Sequence, residues 1–118
     1  MEWQLAPDIQ REIKRIIADL KFIYLRPERI FCFRSFGSKS KARARIWSLP
    51  RIWQQALKVQ PAYCIEVLSE QFDKLAADEQ KRTLIHELLH IPKNFSGALV
   101  PHRRLGKMRF EEKVRKLF

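Results

Sequence analysis

Ile9, Ile13, Ile16, Ile17 and Leu20 recur at intervals of three and four between charged residues, which predicts an amphipathic helix from Pro7 to Leu20 that backs a sheet. Arg26-Pro27-Glu28 breaks the chain. The aromatic and β-branched run Ile30 to Phe36 then reads as a strand, with a turn at Gly37-Ser38-Lys39-Ser40. A second strand is predicted over Ala42 to Leu49, where Arg43 and Arg45 alternate with Ala44 and Ile46, and Pro50 ends it. Arg51 to Leu57 reads as a short helix or irregular loop with Ile52 and Trp53 packed inward. The third strand, Ala62 to Leu68, carries Tyr63, Ile65 and Val67 on one face. From Ala77 the period is helical again. Asp78 and Glu79 stand in the first turn, good helix formers continue through Leu89, and Pro92 stops the helix just after His90. Arg104 to Phe118, with Val114, Leu117 and Phe118, predicts a terminal helix with a modest apolar face, weakened at its start by Gly106. No repeat and no Pro/Gly/Ser linker divides the chain, so the expectation is one α+β domain over residues 1–118, built on a small three-stranded sheet.

At 118 residues with 46% hydrophobic content the chain can bury a single modest core. No stretch approaches the run of about 20 apolar residues that crosses a bilayer, and Met1-Glu2-Trp3-Gln4 is no signal peptide; the expected location is cytoplasmic. Cys32 and Cys64 form no C-x-x-C pair and read as reduced strand residues. Their charged neighbours Arg34 and Glu66, at the same parity, suggest that both lie on the outer sheet face. A formal net charge of +11 raises nucleic acid as a partner: Lys39, Lys41, Arg43 and Arg45 form a basic ladder near Trp47 and Trp53, and further cations crowd the C-terminal segment. A solvated face explains these charges more simply, because no aromatic-interleaved motif for base stacking is visible in the sequence.

The three histidines fall in one stretch, and His86-Glu87-Leu88-Leu89-His90 is a complete H-E-x-x-H. Residues four apart share a helix face one turn apart, so both imidazoles can reach one metal ion, while Glu87 on the adjoining face can touch a water without ligating. A catalytic zinc ion has three protein ligands and an open position. His102 is the preferred third ligand; Glu111 or Glu112 could supply a carboxylate instead. Eleven residues separate His90 from His102, and they include the Pro, Asn, Ser and Gly that let the chain turn back. The metzincin spacing is absent, Lys93 and Ser96 holding its Gly and His places. Zinc would acidify its bound water, and Glu87 would serve as general base and then acid. For a second oxyanion donor, Tyr63, Asn94, Arg103 and Arg104 are candidates by residue type alone.

His86-Glu87-Leu88-Leu89-His90-Ile91-Pro92, followed by Phe95, Gly97, Leu99 and His102, resembles the minigluzincins, small soluble zincins, and the phage metallopeptidase domain. The likeness extends upstream through Pro61 to Val67 and Phe72 to Leu75. It implies a minimal zincin-like metallopeptidase cleaving peptide or unfolded protein, with one Zn2+ held by His86, His90 and His102. Such proteins can be latent, and the resemblance makes residues 104–118 a segment that covers the cleft, within one molecule or exchanged between two; an ordinary capping helix is the alternative. In related zincins an edge strand binds extended peptide, which by resemblance assigns Tyr63, Ile65 and Val67 to substrate. The competing function is a basic nucleic-acid-associated protein, either a DNA-linked protease or a non-catalytic module in which zinc is structural.

Overall fold

The described residues build a mixed sheet of four strands, one more than the hydrophobic pattern announces. In the computed structural model, which describes residues 1–101 and 110–117, the strands are β1 (Glu2–Leu5), β2 (Ile30–Phe36), β3 (Ala44–Ser48) and β4 (Tyr63–Leu68), in the spatial order β1-β2-β4-β3. The helices are α1 (Pro7–Asp19), α2 (Arg51–Leu57), α3 (Ser69–Phe72), α4 (Ala77–Leu88) and α5 (Phe110–Leu117). All of β1 is solvent-exposed, so no buried face marks it in the sequence; it exists by antiparallel pairing, with Glu2 opposite Phe36 and Leu5 opposite Phe33.

β4 runs parallel to β2 and antiparallel to β3. It is therefore a central strand, which corrects its expected place at the substrate-binding edge. Its largely apolar run suits the middle of a sheet, but the pairing on both sides is set by β2 and β3, which are distant along the chain. Tyr63 is 1% exposed and Ile65 and Val67 are 0%, so none of the three offers a surface to a substrate. The edges of the sheet are β1 and β3, and β3 is shorter than expected.

The core lies between one sheet face and two helices. α1 applies Ile9, Ile13, Ile16 and Ile17 to Ile30, Cys32, Ile65 and Val67, while Leu84, Ile85 and Leu88 of α4 close the other end. Where β1 stops short, Gln10 of α1 satisfies the open backbone of β2. Its amide donates to the Ile30 carbonyl at 2.7 Å and its carbonyl accepts from Cys32 N at 3.1 Å.

Two further expectations are corrected. Cys32 points into the core, while Cys64, opposite Phe31, lies on the outer face; both are free thiols. Arg34 shares the inner face with Cys32 despite its charge, because it escapes burial at the sheet's end, where it pairs with Asp8 at 2.7 Å and Asp73 at 2.9 Å. α2 forms, but Ile52 and Trp53 are 75% and 55% exposed rather than packed inward. That helix is anchored by a polar residue: Gln54 Nε2 donates to the carbonyls of Leu49 at 2.7 Å and Ser96 at 3.0 Å. At the other end of the chain, α5 buries Val114 and packs Leu117 against the core, while Gly106 and the predicted helix start lie outside the described residues.

Candidate active site

α4 carries the H-E-x-x-H sequence to its C-terminal end. Asp78 and Glu79 occupy its first turn, where the helix dipole favours negative charge, and the last α-helical residue is Leu88. His90 therefore lies just past the helix, on a turn tightened to a hydrogen bond from its N–H to the Glu87 carbonyl at 3.1 Å. The rings still converge. The centroids of His86 and His90 are 5.3 Å apart, and the ligating atoms of His86, Glu87 and His90 all lie within 4.8 Å of one another.

A backbone clasp orients the second imidazole. His90 Nδ1 lies 2.6 Å from the Val100 carbonyl oxygen, which can only accept, so Nδ1 carries the proton and Nε2 keeps a lone pair for a metal. Val100 N–H donates back to the His90 carbonyl at 2.6 Å. Tyr63 supports the loop so formed from below. Its hydroxyl donates to the Ala98 carbonyl and accepts from Gly97 N–H, both at 2.8 Å, and its ring meets Phe95 edge-on at 5.0 Å. Tyr63 is thus committed to positioning this loop, which removes it as an oxyanion donor.

Glu87 is 8% exposed, and burial pushes its carboxyl up to about 7 from an ordinary 4.5. In the metal-free protein the folded state then holds a proton that the unfolded chain releases first. The contribution of this group to stability is fully present below about pH 4.5 and is lost as pH rises towards 7, a change of roughly 3 kcal/mol. Urea midpoints of metal-free wild type and Glu87→Gln should diverge over that window, with the variant lacking this component. Parallel pH profiles would show that the carboxylate pays no desolvation cost.

The cluster opens on a cleft of about 810 Å³, bounded by Ala44, Arg45 and Ile46 of β3, Glu79, Arg82 and Thr83 of α4, and Val114 and Arg115 of α5. Glu79 closes its far end by accepting from Arg43 at 3.3 Å and from Arg82 at 2.9 Å. Leu68 N–H donates to Arg43 O and Leu49 N–H to Ala62 O, so alternate residues of β3 bond to β4. The backbone groups of Ala44 and Ile46 consequently face the open edge, beside the cleft. No side-chain signal marks those two positions in the sequence.

The predicted basic ladder is partly spent in ion pairs, Arg43 with Glu79 and Arg45 with Glu66 at 3.2 Å. Asn94 and Glu112 are exposed. His102, Arg103 and Arg104 lie outside the described residues, as does the Glu111 side chain.

A family model described as "Putative phage metallopeptidase" matches residues 1–115. The chain belongs to that family. No curated protein and no solved structure matches it. A metallopeptidase implies a metal ion, and the donor set of this phage metallopeptidase family member fits one: two imidazoles and a carboxylate converge, and one imidazole is held in the ligating tautomer. Among the described residues, no helix is long and apolar enough to cross a membrane.

Proposed function

We propose that this chain is a zinc-dependent endopeptidase in which His86, His90 and His102 hold the ion and Glu87 moves the proton. The convergence of His86, Glu87 and His90 beside an open strand edge carries the reading. His102 follows the clasp residue Val100 by two positions in the sequence, and a chain reach of roughly 7 Å over that step supports its choice as the third ligand. The ion supplies Lewis acidity that polarises water and the scissile carbonyl. Glu87 takes the proton of the attacking water as the new C–O bond forms, then delivers it to the amine as the C–N bond breaks. Ala44 and Ile46 offer backbone donors and acceptors that align an extended peptide by strand addition.

The deciding measurement is zinc content of the purified wild type beside His102→Ala, together with cleavage of an unfolded protein. Wild type is expected to retain one equivalent and cleave; the variant is expected to lose zinc on dialysis and with it activity. Stoichiometric zinc and full cleavage in His102→Ala would remove it from the ligand set.

Val114 and Arg115 line the cleft, which favours latency through residues 104–118. A chain ending at Leu105 is then expected to cleave faster than the full chain. Unchanged cleavage by a folded truncation would make α5 a capping helix only.

A further inference from the structure

The sheet face turned away from α1 carries aromatic rings. Phe31 on β2 and Trp47 on β3 stand on either side of Cys64 in one row across the sheet; Phe33, Glu66 and Arg45 form the next row, and Trp3 stands opposite Ser35 beyond it. Trp3 is 55% exposed, Trp47 49% and Phe31 41%. These rings are held in place. Glu66, 1% exposed at the centre of the face, accepts from Trp47 Nε1 at 2.9 Å and from Arg45 Nη2 at 3.2 Å, with the Trp3 indole a further donor beside it. A carboxylate that grips an indole by its N–H edge fixes the ring without itself occupying either face. Between Trp3, Phe33 and Trp47 lies a depression of about 250 Å³.

Cations accompany the rings. The Arg29 guanidinium lies 5.9 Å from the Phe31 centroid, and that of Arg45 5.9 Å from Trp47. The one carboxylate buried in the patch is already neutralised by Arg45, and the chain carries a net charge of +11. Two copies meeting face to face would bring like charges together, whereas a polyanion is attracted. Duplex bases are stacked on one another and cannot offer their faces to these rings; unpaired bases can.

We propose that this sheet face binds single-stranded nucleic acid, with bases stacking on Trp3, Phe31 and Trp47 and phosphates meeting the flanking arginines. The inference goes beyond the peptidase reading and does not depend on it. Arg45 also lines the cleft, so a strand held here would run beside that cleft.

The test is fluorescence anisotropy of a labelled oligothymidylate with the full chain, at low and physiological salt. Trp3→Ala and Trp47→Ala are each expected to weaken binding about 5- to 150-fold, the range for losing one stacked base. Trp47→Phe, which keeps a ring, should recover most of the affinity. Trp53→Ala, on α2 and not among the residues lining the depression, should leave it unchanged. An unlabelled duplex of the same length should compete poorly. Circular dichroism checks folding; should Trp47→Ala not fold, Trp3→Ala on the peripheral strand β1 decides. Absence of binding overturns the proposal, as does binding that weakens with salt yet ignores both tryptophans, which is attraction by charge alone. A dimer seen in sedimentation that Trp3→Ala dissociates would overturn it too, by making a second copy the occupant.

Discussion

Glu87→Gln is expected to lower peptide-bond cleavage by about 10²- to 10⁴-fold while the protein keeps its zinc, the range that general acid–base catalysis contributes. The substitution is nearly isosteric and suits a side chain 8% exposed, so packing is preserved and only the ability to accept and return a proton is lost. Metal retention matters because the Glu87 carboxylate lies within 4.8 Å of the histidine donors and is close enough to be a ligand itself. Cleavage of an unfolded protein and zinc stoichiometry, measured on one preparation, separate the roles. Loss of cleavage with zinc retained makes Glu87 the proton carrier. Loss of both makes it a ligand, and persistence of both removes it from the chemistry.

Gly97→Ala is expected to destabilise the protein by about 2–4 kcal/mol and to loosen the metal site. Gly97 has φ +93°, a conformation that costs any residue with a Cβ. The space is also closed: an added methyl would collide with the Gln54 side-chain amide and come within 2.6 Å of the Leu49 carbonyl oxygen. Gln54 could give way only by abandoning its bonds to Leu49 and Ser96, which tie α2 to this loop. The same loop brings the Val100 carbonyl onto His90, so displacement should release the imidazole and lower zinc affinity as well as the urea midpoint. A midpoint shift below that of an ordinary surface substitution, with zinc affinity unchanged, would show that the loop adapts without strain.

The long helices α1 and α4 were legible because each depends on spacing along one element, whereas the short α3 carried no such signal. The isoleucines of α1 need only the helical repeat to be placed on a common face, and the four-residue interval of His86 and His90 brings their rings together even though His90 lies on the turn just past the helix. Strand position was not legible. Whether Tyr63 to Leu68 pairs on one side or both is decided by partners far away in the chain, and β1 shows no buried face at all. The aromatic surface has no signature in the sequence for a related reason, since Trp3, Phe31 and Trp47 belong to three strands and meet only across the sheet.

From its sequence alone, this protein's local periods and its H-E-x-x-H motif are determined, because helical repeat and turn chemistry act between neighbours. Only the tertiary structure decided which strand borders the cleft, that Val100 sets the His90 tautomer, and that burial raises the Glu87 carboxyl. Those properties arise from pairing and desolvation between segments distant along the chain, and no short-range pattern encodes them.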